Sequence, residues 1–257
     1  MCNLYTATSA PRLALTFQVA VPQTPYPLDV APLRAGPFVT SHQHAMVGQW
    51  GMIPPGATSR TPATRSGERL STNNARREGM ANAWTFGPSW KAGRRCLIPA
   101  DAFQEPYWGS LLQPFKKSVP WEFTRVDGEP WALAGLWSEW TDPATGEVVP
   151  SYTMVTQNCD GHPLLALMHR PERGSDRRIL PLELQDKRAV VPIERGDWDQ
   201  WLNGRPEDAV TLIKLPPLEV FNHRSADLTK HLALPLGKPL EKVSEPGASP
   251  TTGDLFD

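Results

Sequence analysis

Apolar residues along this chain fall into short runs, and a turn-forming residue closes almost every one. The runs that read as strands cover residues 13–20, 37–53, 121–126, 131–137, 151–156 and 189–193. They are rich in Val, Thr, Phe and Trp, whose branched or aromatic side chains suit a pleated, half-buried surface, and Gly, Pro, Asp or Asn bounds them. Val126-Asp127-Gly128-Glu129 predicts a hairpin turn, because Asp-Gly accommodates the positive φ of a primed turn. Helical signals are fewer. Residues 74–83 predict a short helix, residues 162–168 another opened by Asp160-Gly161, and residues 197–202 a third with an acidic first turn after Gly196. The sum is an α+β domain, mainly antiparallel β with a few short helices. No linker-like shift divides residues 1–240, which read as one domain. Residues 241–257 are polar and rich in Pro, Gly, Ser and Thr, the composition of a disordered tail.

Composition sharpens this picture in three places. The 28 prolines favour short elements over long helices, and ten tryptophans require burial or a stacking partner. Three cysteines, Cys2, Cys96 and Cys159, lack paired spacing, and neither CxxC nor HExxH occurs. We therefore expect no disulfide framework, no metal and no cofactor, with Cys96 and Cys159 as buried thiols. The first residues lack a basic then apolar leader, and no apolar run approaches ~18 residues, so a reduced, cytoplasmic location is expected.

The net charge of −1 gives no global basic field, but it hides a local one. From Arg60 to Arg95, eight basic residues oppose two acidic ones, a surplus of six positive charges, with Trp84, Phe86 and Trp90 interleaved. Arginines that neutralise phosphate and aromatics that stack on bases suit single-stranded nucleic acid. Charges spread around a solvated loop would give the same composition. A second cluster, Arg170, Arg173, Arg177 and Arg178, follows His169.

Met1-Cys2 opens the chain. Removal of Met1 would leave a terminal cysteine with an amine and a thiol on neighbouring carbons. The amine condenses with an aldehyde, and the thiol then closes a five-membered thiazolidine ring. Reference pKa values of ~7.7–8.0 and ~8.5 keep a fraction of each group reactive near neutral pH.

The ordered motifs of this chain resemble those of the SOS-response-associated peptidase family. Trp50-Gly51-Met52-Ile53-Pro54 is similar to WGLIP, and Asn73-Asn74-Ala75-Arg76-Arg77-Glu78 to NARAE. Residues 94–105, RRCLIPADAFQE, closely resemble RRCLIPADGFYE. Ala132-Leu133-Ala134-Gly135-Leu136-Trp137 resembles FAGLW, residues 152–156 resemble FTILT, and Met168-His169-Arg170-Pro171 resembles the start of HxRMP. The resemblance covers residues 1–224. It implies a single barrel-like domain that shields abasic sites in single-stranded DNA through a covalent thiazolidine at Cys2, with possible autopeptidase and abasic-site lyase activities and association with the nucleoid on damage. It implies Cys2 as nucleophile, with Asn74, Glu105 and His169 as catalytic partners. It also places Arg76 against DNA phosphate; the basic, aromatic stretch adds Arg77 and Trp90, and the cluster after His169 adds Arg170 and Arg173, as further DNA-contact candidates.

Each residue also has a plainer reading. Asn74 could cap the helix predicted after it, Glu105 could be a surface carboxylate, and His169 a hydrogen-bonded core histidine. A cysteine-type peptidase and a noncovalent single-strand-binding module are the competing functions. The chain departs from the family at Cys2-Asn3-Leu4-Tyr5, where Cys-Gly-Arg-Phe is common, at Gln104, and after Arg170. The final Leu255-Phe256 pair resembles a sliding-clamp-binding peptide without its leading Gln.

Overall fold

The computed structural model describes residues 2–41, 44–64 and 66–226. The tail, with the clamp-docking candidates Leu255 and Phe256, lies outside the described residues, as does the end of the expected 1–240 domain.

Eleven strands form one sheet: β1 (Leu4–Ala7), β2 (Asp29–Val30), β3 (Ala35–Thr40), β4 (Ala45–Trp50), β5 (Asn74–Arg76), β6 (Arg95–Tyr107), β7 (Val119–Arg125), β8 (Trp131–Thr141), β9 (Val148–Asn158), β10 (Arg188–Val190) and β11 (Phe221–Ser225). The pairing closes on itself. β3 pairs with β4, β4 with β9, β9 with β8, β8 with β6, and β6 again with β3. All these pairs are antiparallel except β4 with β9. The result is a small barrel, with β1, β2, β7 and β11 extending from β6, and β5 and β10 attached to β9. Among the described residues four short helices lie outside the ring: α1 (Ala10–Phe17), α2 (Gly87–Lys91), α3 (Trp198–Asn203) and α4 (Pro206–Ala209).

The central strands are buried on both faces, which is why they are nearly continuous apolar runs. Along β8, Trp131 and Leu133 face one core with Tyr5, Phe38, Trp50 and Ile98. Ala132, Ala134 and Leu136 face the other, with Leu13, Phe17, Trp90 and Trp201. Gly135 sits where the strands press closest. A Cβ there would stand 2.8 Å from Cys96 Sγ and 2.9 Å from the Thr153 carbonyl oxygen.

Four expectations are corrected. Residues 13–20 are not a strand: Leu13 and Phe17, one helical turn apart, are the buried positions of α1, while Leu15 between them is 81% exposed. Residues 74–83 are not a helix, because Asn74–Arg76 pairs parallel with Met154–Thr156 and turns follow. Asn74 therefore caps no helix. Asp127-Gly128 closes no hairpin. β7 and β8 both run antiparallel to β6 along the same side, β7 against Phe103–Tyr107 and β8 against Arg95–Ala100. The turn is an excursion between two strands laid end to end. Residues 162–168 form turns and one 3-10 segment, Leu165–Leu167, whereas the helix expected near 197–202 is present as α3.

Candidate active site

The site lies at the far end of β6. This strand carries Glu105, and β1 runs beside it with Leu4 opposite Gln104. That register brings Cys2 next to the Glu105 end of the strand. Its Sγ lies 3.3 Å from the Leu4 carbonyl oxygen and 3.7 Å from that of Gln104. The His169 segment arrives from the other side: Met168 bridges Tyr107, and the His169 N–H donates to the Pro106 carbonyl at 2.7 Å. β5, docked on β9, presents Asn74. Four segments far apart in sequence thus converge at one place.

Cys2 is fully buried. Its carbonyl oxygen accepts from Asn74 Nδ2 at 2.9 Å and from Asn73 Nδ2 at 3.3 Å. Asn74 Oδ1 has no hydrogen-bond partner among the described residues and is shielded from solvent. His169 adopts φ +61°, a backbone conformation uncommon outside glycine, at the point where its ring turns inward. Its Nε2 lies 2.7 Å from the Arg188 carbonyl oxygen and 3.2 Å from Glu105 Oε2. A carbonyl only accepts, so Nε2 carries the proton.

Burial dominates the electrostatics. Desolvation pushes the Glu105 carboxyl up to about 7 and the His169 imidazole down to about 3. At neutral pH the pair is therefore a neutral imidazole beside a carboxyl poised between its two forms. Desolvation, then the nearby Glu105 charge, raises the Cys2 thiol well above its ordinary range. It rests as a thiol directed at carbonyl oxygens, and not as a thiolate.

The structure separates the expected DNA contacts. Arg76 is half-exposed and pairs with Asp186 Oδ2 at 2.9 Å. Arg170 is exposed, its guanidinium 5.8 Å from the Trp108 ring centroid, and Arg173 is exposed with Nη1 donating to the Arg177 carbonyl. Arg77 is half-buried and donates to Gln157 Oε1 at 3.0 Å. Trp90 is corrected: its ring packs in the core 6.3 Å from Trp201 and offers no face for a base. Arg95, also in the basic stretch, is buried and donates to the Trp201 and Gly204 carbonyls. Arg95 is therefore withdrawn from any exposed basic face.

Residues 1–228 match the family described as SOS response associated peptidase (SRAP). The chain belongs to this family. A crystal structure of a Bordetella bronchiseptica protein superposes with a TM-score of 0.73 at 33% identity, covering 88% of this chain and 100% of that one. A Bacteroides thetaiotaomicron protein shares the fold, with a TM-score of 0.65 at 17% identity over 87% of this chain and 91% of the other. Among named relatives, the abasic site processing protein HMCES of Gallus gallus is 28% identical over 152 residues, 49% of this chain and 44% of that protein. Its Xenopus tropicalis counterpart is 31% identical over 120 residues, 42% of this chain and 35% of the other. The chain thus covers less than half the length of either vertebrate relative.

The motifs of this SRAP-family chain single out Cys2, Asn74, Glu105 and His169, and the fold brings these four together. They give no such signal for Asn73, Asp186 and Arg188. The doubled Asn73-Asn74 was visible as a motif, but a main-chain contribution such as the Arg188 carbonyl has no side-chain signature. Among the described residues no cluster of His, Cys, Asp or Glu could hold a metal, and no helix is long and apolar enough to cross a membrane.

Proposed function

We propose that this protein captures abasic sites in single-stranded DNA by forming a thiazolidine between Cys2 and the open-chain sugar aldehyde. The observation that carries this reading is the convergence of a buried Cys2, clamped at its carbonyl, with a Glu105 carboxyl poised near neutrality. The abasic-site processing named for the vertebrate relatives agrees with it.

Met1 must first be removed, because a Cys2 amide nitrogen cannot condense; self-processing is one route. The free amine then adds to the aldehyde carbon. Protonated Glu105 supplies the proton with which the carbinolamine loses water, leaving an imine. The Cys2 sulfur adds to the imine carbon, and its proton passes to the nitrogen. One water leaves overall and no oxidant is needed. Neutral His169, its Nε2–H spent on the Arg188 carbonyl, packs 3.2 Å from Glu105 Oε2 and keeps a second positive charge out of the site, so that Glu105 is the proton donor. The same imine acidifies the neighbouring sugar carbon, which gives a route to strand cleavage by elimination.

The amine acts first in this scheme because the thiol is poorly activated. A cysteine peptidase needs a lowered thiol pKa or an adjacent base, whereas burial raises this one and the His169 Nε2–H is spent on the Arg188 carbonyl. Arg76, Arg170 and Arg173 are the proposed phosphate contacts, with Trp108 a candidate platform. Binding to a sliding clamp through Leu255 and Phe256 is tested by whether a pulldown is lost when both become Ala.

The deciding experiment mixes the protein with single-stranded DNA containing one abasic site and resolves the products on a denaturing gel. A heat-stable slow band, absent in Cys2→Ala, is expected. Binding without a band would replace this reading with a noncovalent module. Peptide cleavage without a band would replace it with a peptidase.

A further inference from the structure

Two side-chain amides, not one, grip the carbonyl of Cys2. Neighbouring residues on a strand normally point to opposite faces. Asn74 begins β5, but Asn73 precedes it, where the chain bends, and both amides converge on the same oxygen. Both lone pairs of the Cys2 carbonyl are thereby filled.

Every polar atom of the Asn73 side chain is committed. Nδ2 gives one hydrogen to the Cys2 carbonyl at 3.3 Å and the other to Asn3 Oδ1 at 3.2 Å, while Oδ1 accepts from Ser71 Oγ at 2.9 Å. Its main-chain oxygen accepts from Trp50 Nε1 at 2.9 Å and from the Met154 N–H at 3.0 Å. The residue is 3% exposed. Asn73 is thus anchored to the barrel wall on one side and to the first residues of the chain on the other. Asn74 is committed differently. It spends Nδ2 on Cys2 and keeps a buried Oδ1 with no partner among the described residues.

A terminal residue frays unless it is tied down. Once Met1 is gone, Cys2 would be terminal, and its amine must meet an aldehyde carbon with its thiol poised to follow. The carbonyl clamp sets the rotation of Cys2 about its Cα–C bond, and hence the direction of both groups. We propose that Asn73 is a positioning residue for Cys2, held in place by Asn3, and that this clamp leaves Asn74 Oδ1 available to the Cys2 amine. Asn3 stands where the family commonly has glycine, so the Asn3–Asn73 bond is a feature of this chain's own sequence.

This inference rests on the proposed thiazolidine chemistry. Its test is a comparison of single-turnover rates for wild type, Asn73→Ala and Asn3→Gly, all with Met1 removal verified by mass. Two aldehydes are used: abasic single-stranded DNA at saturating protein, and formaldehyde, which has no phosphate to bind. Asn73→Ala should slow adduct formation about tenfold with both aldehydes, a loss of alignment and not of DNA grip. The Kd for an intact oligonucleotide should stay unchanged. Asn3→Gly, at an exposed position that cannot break the core, should slow both reactions several-fold in the same proportion. Ser71→Ala serves as a control for stability, since it removes a bond to Asn73 without touching Cys2. Rates equal to wild type in both Asn73→Ala and Asn3→Gly overturn the positioning role. So does a slowing confined to the DNA substrate, or one that follows thermal stability across the three variants. No adduct with wild type on either aldehyde would instead remove the thiazolidine chemistry itself.

Discussion

His169 Nε2 lies 3.2 Å from Glu105 Oε2, yet the two do not form an ordinary ion pair. Burial holds the imidazole neutral, at about 3, and lifts the carboxyl to about 7. If protonated Glu105 is the acid, adduct formation falls as pH rises through about 7. The amine requires the opposite, deprotonation near ~8. Their product is a bell-shaped rate profile with its maximum between these values. Glu105→Gln should lower the rate ~10²-fold and flatten the alkaline limb. Rates measured by quenched gel assay from pH 5 to 9, at about half-unit steps, check this. A Gln variant that keeps the limb would remove Glu105 from the acid role.

The same pair makes stability depend on pH in two opposite ways. Glu105 binds its proton more tightly folded than unfolded, so its contribution is fully favourable below about 4.5 and is lost as pH rises to about 7. His169 binds its proton less tightly when folded, so it destabilises the fold as pH falls from 6.5 towards 3. Glu105→Gln should therefore raise the melting temperature at pH 8 relative to wild type, with a smaller difference at pH 4.5. His169→Asn should lessen the loss of stability in acid. Thermal melts of both variants across this range test the signs.

Much of the site was legible because its chemistry is tied to short motifs. Cys2 at the start, Asn74 beside Arg76, and Glu105 at the end of a long apolar strand keep their identities whatever the fold does between them. The local geometry was less legible. Leu13, Leu15 and Phe17 suit either a strand or a helix until a core selects the helical spacing, leaving Leu15 in water. Asp127-Gly128 gives the same local turn whether the next strand folds back or continues, and only the length of β6 decides. Trp90 among arginines looked like a stacking surface, but Arg95 is itself buried and lies across it, 5.7 Å from the ring centroid.

That arrangement gives a pair of contrasting tryptophan variants. Trp90→Ala removes a buried indole between the sheet and α3 and should cost ~3–5 kcal/mol in denaturant unfolding. Trp108→Ala, at a partly exposed ring under Arg170, should barely change stability but weaken single-stranded DNA binding by ~1–3 kcal/mol if the ring stacks on a base. Chemical denaturation and fluorescence anisotropy on both variants read the two effects separately. A stable Trp90→Ala protein with weakened DNA binding would reverse the assignment.

Arg76 reaches solvent while paired to Asp186, which is also bound by Arg188 Nε at 2.7 Å. A DNA phosphate at Arg76 competes with that carboxylate. Asp186→Asn should tighten binding of intact single strands at low salt. Arg76→Ala should weaken binding and lower the slope of log affinity against log salt by ~1 phosphate contact, each contact contributing ~0.7 for single strands. Titrations at several salt concentrations give both slopes. A slope unchanged in Arg76→Ala would take this arginine out of the phosphate track.

The strongest constraint concerns the Cys2 nitrogen. Thiazolidine chemistry needs a primary amine and a thiol on one residue, so thiol reactivity alone is insufficient. A variant with an uncleavable extension before Cys2 keeps its sulfur, the Asn74 contact to its carbonyl and the Glu105 beside it. It should form no heat-stable adduct, although binding of intact single strands persists. Cys2→Ser should fail for the complementary reason: its amine can form the imine, but its hydroxyl closes the ring poorly. Borohydride should trap that imine as a stable secondary amine. Intact-protein mass spectrometry separates the three states by the presence of Met1, the loss of one water on adduct formation, and the hydrogens added by reduction. An adduct of full yield on the extended protein would move the chemistry away from the Cys2 amine altogether.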